Sequence, residues 1–211
     1  MANVVICNME IKLILFDLGK VIFEYSWDNT ASYWSEVTGK KYEEIKSTFT
    51  FDDDQWHRFE RGEVNGEYMR HYVNEQLKLN LSQQEFENGC NSIYMEARDG
   101  IKEFILELKK KYTVAALTNT NEIHYPAWKR IYADVLSPIE KIFVSHTLRC
   151  RKPEPKAYEI VIEQYKLKPG EILFLDDQPP NIDSARNCGM NAIYVISFEQ
   201  MKEDTEKFLG A

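Results

Sequence analysis

Residues 14–22 read Ile14-Leu15-Phe16-Asp17-Leu18-Gly19-Lys20-Val21-Ile22. The apolar run from Lys12 to Phe16 stops on a carboxylate, and a glycine follows two residues later. A short apolar run without polar alternation reads as a strand buried on both faces, as in parallel sheets. Four further runs have the same character: Thr113 to Leu117, Ile142 to Val144, Ile172 to Leu175 and Ala192 to Ile196. Helical stripes lie between them. Ile101, Phe104, Ile105 and Leu108 stand at i, i+3, i+4 and i+7, and Tyr158, Val161, Ile162 and Tyr165 repeat that spacing. Strand and helix in alternation predict an α/β fold with a doubly wound, Rossmann-like parallel sheet.

The stretch 23–98 is different. It is rich in Glu, Asn, Tyr and Trp and carries no clear strand. Gly39, Gly62 and Gly66 read as breaks, and Ser82 with Glu85 reads as a capping box. The expectation is four or five short helices forming a small helical cap inserted after the first strand. The core then comprises residues 1–22 and 99–211, and the cap residues 23–98. Residues 1–10 could be an extra strand, a tail or a misassigned start, since Met9 closely precedes the first strand.

Of the 211 residues, 26 are Lys or Arg and 34 are Asp or Glu, a net charge of −8. So acidic a chain argues against nucleic acid or an anionic membrane as partner of its general surface. An anionic ligand must then be held by a few local donors or a metal. No apolar run approaches the roughly 18 residues of a membrane span. The start, MANVVICNMEIK, lacks the basic segment and long apolar stretch of a signal peptide. The reading is cytoplasmic. Cys7, Cys90, Cys150 and Cys188 are far apart, without a C-x-x-C pair. They read as reduced, mostly buried thiols and not as a zinc site.

Ligands of open parallel sheets bind at the carboxyl ends of the strands. Asp17 follows the first run, and Thr118 and Asn119 follow the second, in VAALTNTN. Lys152 comes soon after the third, in RKPEPKAY, and Asp176 and Asp177 follow the fourth, in ILFLDDQPPNI. Three carboxylates, one hydroxyl and one ammonium thus converge on one edge. Carboxylates in mutual contact repel, and a hard cation such as Mg2+ is the usual remedy. Hydroxyl, lysine and magnesium together make a phosphate cradle.

This order of motifs resembles the haloacid dehalogenase-like hydrolase superfamily over essentially the whole chain. FDLGKVI, LTNTN, RKPE and FLDD look most like its small sugar-phosphate phosphatases, including those acting on glucose 1-phosphate. The resemblance implies a magnesium-dependent phosphatase that cleaves a small phosphorylated metabolite through a phosphoaspartyl intermediate. In that reading Asp17 attacks phosphorus, and Asp17, the carbonyl of Gly19 and Asp177 hold the metal, with Asp176 beside it through water. Thr118 and the backbone amides of Leu18 and Asn119 bind phosphoryl oxygens, and Lys152 neutralises charge.

The chain departs from the family pattern at Gly19, where phosphatases of this kind usually carry an aspartate that protonates the leaving group. Loss of such a group typically costs ~10²–10⁴-fold in rate. An anomeric sugar phosphate has a more acidic leaving oxygen and tolerates that loss better, so a hexose 1-phosphate is favoured. Two other readings compete. A 2-haloacid-type dehalogenase would use Asp17 against carbon without metal. A weakened member would bind a phospho-metabolite or a protein. Secondary candidates are Lys20 at the loop rim, Asn181 as a brace of the acidic loop, His124 at the cleft border, and His57, Arg58, Glu60 and Arg61 on one cap helix, where surface salt bridging competes with reading the sugar. His71 and His146 read as structural. Trp27, Tyr33, Trp34 and Trp56 read as cap packing, with room for one aromatic in the pocket.

Overall fold

The structure is a computed structural model and describes residues 10–48 and 52–210. Cys7 and the question of an extra strand before Met9 lie outside the described residues. The strands are β1 (Leu13–Phe16), β2 (Phe23–Tyr25), β3 (Tyr94–Ala97), β4 (Thr113–Thr118), β5 (Lys141–Val144), β6 (Ile172–Asp176) and β7 (Asn191–Tyr194). Five of them form one parallel sheet in the order β5-β4-β1-β6-β7. This is the predicted Rossmann-like core, with β1 in the centre. The last strand ends earlier than the apolar run suggests: Ile196 lies beyond it and is exposed.

Period-two geometry explains why these strands lack polar alternation. Ile14, Phe16, Val114, Ala116, Leu173 and Leu175 pack to one side, with Ile101, Phe104, Ile105 and Leu108 of α6 (Ile101–Lys109) and Met201 of α12 (Phe198–Leu209). Leu13, Leu15, Ala115, Leu117, Ile172 and Phe174 pack to the other. There they meet Ala157, Tyr158 and Val161 of α10 (Pro155–Tyr165) and Ile182 and Ala185 of α11 (Pro179–Asn187). Both faces are apolar because both are covered.

Between β1 and α6 the chain forms the cap helices α1 (Trp27–Thr38), α2 (Tyr42–Thr48), α3 (Asp54–Glu60), α4 (Gly66–Leu77) and α5 (Gln83–Asn91). They enclose their own core of Trp34, Ile45, Phe59, Met69, Val73, Leu77 and Phe86. Ser82 and Glu85 form the reciprocal cap that opens α5. Gly39 ends α1 at φ +74°, whereas Gly66 is the first residue of α4 and no break.

The expectation of a strandless 23–98 stretch is corrected. β2 and β3 pair antiparallel at its two ends, with Tyr25 opposite Tyr94 and Phe23 opposite Ala97. Each is three or four residues long and carries Glu24 or Glu96, too short and polar to show an apolar run. No helix among the described residues is long and apolar enough to cross a membrane. Cys90 and Cys150 are buried thiols, and Cys188 is half-buried.

Candidate functional site

Register brings the candidates together. Phe16 pairs with Ala116 on one side and Leu175 on the other. The next residue, Asp17, therefore leaves the sheet level with Asp176, and Thr118 closes the neighbouring strand. The backbone N–H of Asp17 donates to the Leu175 carbonyl at 2.8 Å, which fixes that level. Asp17, Thr118 and Asp176 are all buried.

Lys152 enters from the loop before α10, and its side chain is only 1% exposed. Its Nζ lies 2.8 Å from Asp17 Oδ1 and 2.6 Å from Asp176 Oδ2. Burial works against its charge, but the two carboxylates outweigh burial and raise its pKa. The loop is held by Asn119. Its Nδ2 donates to the Lys152 carbonyl and its Oδ1 accepts from the Lys152 N–H, both at 2.9 Å. Reading Asn119 for its backbone amide alone missed this side-chain clamp.

Asp176 is locked from the other side. Its Oδ1 accepts from the Gln178 N–H at 2.8 Å, and Asn181 Nδ2 lies 3.0 and 3.1 Å from its two oxygens. Asn181 is thus the expected brace, anchored in turn by Tyr158, whose hydroxyl donates to its carbonyl at 2.9 Å. Asp177 Oδ2 accepts from Gln178 Nε2 at 2.7 Å. Asp17, Asp176 and Asp177 each offer one oxygen, and these lie within 4.8 Å of one another. Burial, and then the neighbouring carboxylates, hold the Asp17 carboxyl up to about 7 against the pull of Lys152. Burial and Asp176 likewise raise Asp177. Three carboxylates around one ammonium leave an excess of negative charge among hard oxygen donors, a donor set that fits a hard divalent cation.

Asp17, Lys152 and Asp177 line a cleft of about 600 Å³, with Asp176 buried behind them, and Gly19, Thr118, Asn119 and cap residues also border it. At Gly19 a Cβ would stand 2.7 Å from Tyr25 Cε1. The phenol of β2 fills the space a side chain there would need, so the missing acid is a packed feature of the site. Two pairs border the cap side, one half-buried and one with an exposed carboxylate. Glu60 of α3 meets Arg151 at 2.7 Å, and His57 meets Asp52 at 2.7 Å. Glu60 and His57 border the cleft, whereas Arg58 and Arg61 pair with Glu63. Trp27 and Trp56, read as packing, also border the cleft. Trp34 is fully buried in the cap core.

The Leu18 side chain is in the core, and its carbonyl receives the N–H groups of Val21, Ile22 and Phe23 that turn the chain. Lys20 does not border the cleft; it pairs with Glu24 at 2.9 Å and lies over the Tyr25 ring. His71 is exposed beside Glu67. His124, by contrast, is buried at the cleft wall. Tyr25 and Arg151 were not foreseen. Arg151 had only its place before Lys152 as a signal, and Tyr25 had none, because its role depends on a contact across the Gly19 turn.

The comparisons agree with this architecture. A model of the haloacid dehalogenase-like hydrolases matches residues 11–189. D-ribitol-5-phosphate phosphatase of Bacteroides thetaiotaomicron is 24% identical over 188 residues, 85% of this chain and 89% of that protein. A haloacid dehalogenase family enzyme of the same species, solved with magnesium and inorganic phosphate, superposes with a TM-score of 0.76 at 23% identity, covering 90% of this chain and 98% of that one. L-2-haloacid dehalogenase of Xanthobacter autotrophicus has the same fold, with a TM-score of 0.67 at 18% identity over 93% of this chain and 83% of that one. The four motifs meet at the carboxyl end of a parallel sheet under an inserted cap, and the family match spans both; the chain belongs to the haloacid dehalogenase-like hydrolases.

Proposed function

We propose that this protein is a magnesium-dependent phosphatase that hydrolyses a small phosphomonoester, a hexose 1-phosphate being the favoured substrate, through a phosphoaspartyl intermediate on Asp17. The observation that carries the reading is the triad of buried Asp17 and Asp176 with half-buried Asp177, whose oxygens lie within 4.8 Å of one another and of which the first two pair with Lys152. The phosphatase name of the Bacteroides relative supports it, as does the magnesium and phosphate of the solved neighbour. Asp17, Asp177 and the Gly19 carbonyl would hold the cation, with Asp176 beside it. When bound, the cation supplies charge neutralisation that lets a carboxylate and a phosphate dianion approach.

The residues then act as follows. The Asp17 carboxylate attacks phosphorus, and the bond to the leaving oxygen breaks. Thr118 and the amides of Leu18 and Asn119 hold phosphoryl oxygens, and the Lys152 ammonium shares the charge of the pentacoordinate state. The leaving oxygen takes its proton from water in the cleft, since Gly19 offers none. A second water attacks the acyl phosphate, releases inorganic phosphate and restores Asp17. The cap over residues 23–98 shields the acyl phosphate. A dehalogenase would leave the excess negative charge uncompensated.

The test is a screen of phosphorylated metabolites with and without magnesium. Phosphate release from hexose 1-phosphates is expected, lost on chelation and lost in Asp17→Asn. Turnover equal to that of Asp17→Asn refutes the phosphatase, and halide release from 2-haloacids without magnesium establishes the dehalogenase.

A further inference from the structure

We infer that His124 is a specificity-determining residue that hydrogen-bonds a hydroxyl of the substrate's uncharged alcohol portion. The inference rests on the phosphatase reading above and concerns the part of the cleft beyond the phosphate. His124 opens α7 (His124–Ile131) and is 5% exposed. Asn121 Oδ1 accepts the N–H groups of Ile123 and His124 at 3.1 and 3.0 Å, which fixes where the imidazole stands. Trp27, Trp56 and Tyr94 surround it edge to face, with ring centroids at 5.7, 6.0 and 5.7 Å. All four rings border the cleft whose floor holds Asp17.

Within this aromatic collar both ring nitrogens of His124 are closed off from solvent and neither has a hydrogen-bond partner among the described residues, so a ligand hydroxyl meets them only as a collar ring gives way. Buried polar atoms are almost always paired, and an unpaired one calls for an explanation. Packing does not supply it, because a phenylalanine would fill the same volume without stranding two polar atoms. Burial also keeps the imidazole neutral, with its pKa lowered to about 3. A neutral imidazole offers one donor and one acceptor, the complement of a hydroxyl, which both donates and accepts.

The surroundings narrow the ligand. On the cap side Glu60 is already paired with Arg151, and Asp52 already has His57 at 2.7 Å. The collar therefore favours an uncharged, hydroxyl-bearing ring whose C–H faces lie on the aromatics. A second phosphate or a carboxylate would meet only a neutral imidazole there. A site built to bond a hydroxyl discriminates strongly against compounds that lack it.

The test compares wild type, His124→Phe and His124→Gln on α-D-glucose 1-phosphate and on acetyl phosphate, which has no hydroxyl, with magnesium present. The expected result is at least a tenfold fall in the ratio of kcat/KM for glucose 1-phosphate over acetyl phosphate in His124→Phe. That fall should reside in KM, and His124→Gln should restore part of it. The thermal midpoint of His124→Phe should stay level or rise, since two stranded nitrogens are removed. A ratio within twofold of wild type, or equal losses on both compounds, overturns the assignment. Failure of the wild-type enzyme to release phosphate from either compound overturns the phosphatase reading itself, and this inference with it.

Discussion

Gly19 has no room for a side chain, and the reason lies six residues downstream. A Cβ there would approach Tyr25 Cε1 to 2.7 Å and Cδ1 to 3.1 Å. Gly19→Ala should cost about 1–3 kcal/mol through overpacking, read as a fall in thermal midpoint that Tyr25→Ala relieves. Gly19→Asp on a Tyr25→Ala background should hydrolyse alkyl phosphates faster than Tyr25→Ala alone, because it restores a leaving-group acid; equal rates would show that the acid's absence is not what limits them. Two buried residues also set opposite pH slopes. His124 is held neutral by burial, with its pKa near 3 against 6.5 in the unfolded chain. The unfolded chain binds a proton between those values and the native state does not. Stability tied to His124 is thus complete above pH 6.5 and is lost on acidification, by about 1.4 kcal/mol per pH unit for one proton. Asp17 acts in reverse: burial raises it to about 7 from 3.8, so its contribution falls as pH rises through that window. Denaturant titrations from pH 4 to 7 without magnesium should show His124→Phe relatively more stable than wild type at the acid end. Asp17→Asn should be relatively more stable at the neutral end.

At the scale of elements, a glycine sits inside α5 because another helix needs the space. Gly89 is buried, and a Cβ there would fall 2.0 Å from Trp34 Nε1 and 2.5 Å from its Cδ1. The indole of α1 lies on that bare backbone and stacks on Phe86 at 5.9 Å. Thr30 Oγ1 donates to the Gly89 carbonyl at 2.9 Å and pins the same contact. An exposed helical glycine would improve on replacement by alanine; this one should not. Gly89→Ala should destabilise by about 3 kcal/mol and lower the thermal midpoint by roughly 6–12 °C. Unchanged melting would mean that α1 and α5 slide apart at no cost. Elsewhere the elements form as their local chemistry dictates: Asp53 and Asn65 accept the N–H groups of Trp56 and Tyr68 at the starts of α3 and α4.

Across the whole molecule, cap and core meet around the rim of the cleft. Arg151 reaches Glu60, Arg61 reaches Glu154 at 3.2 Å, Arg149 donates to the Gly62 carbonyl, and Glu122 accepts from the Gly66 N–H at 2.7 Å. Most of these contacts are half-exposed and contribute little singly. The Glu60–Arg151 pair is more buried, with side-chain exposures of 13% and 16%. Burial raises Glu60, and Arg151 pulls it back. Arg151→Met would leave that carboxylate unpaired beside the phosphate cradle, and KM for a phosphorylated substrate should rise about tenfold or more, in line with the ~2–5 kcal/mol typical of breaking such a pair. The double variant Arg151→Met with Glu60→Gln should recover much of the loss. A double-mutant cycle with no coupling in either KM or stability would remove this pair from any part in holding the cap.

Legibility in the chain followed the range of the interactions involved. The five core strands are apolar runs buried on both faces, and such burial leaves its mark on consecutive residues. Asp17, Thr118, Lys152, Asp176 and Asp177 stand at or soon after the ends of such runs, so the convergence of charge could be read once a parallel sheet was inferred. Strand boundaries slipped by a residue or more at β7, where an apolar Ile196 is in fact exposed. β2 and β3 escaped because three or four residues with a glutamate have no pattern to show. The ring of Tyr25 in the volume of an absent acid, the Asn119 clamp on Lys152, the contact of Glu60 with Arg151 and the stranded nitrogens of His124 escaped for a further reason. Each is a relation in space between residues that share no local pattern, and only packing of cap, turn and sheet brings it into being.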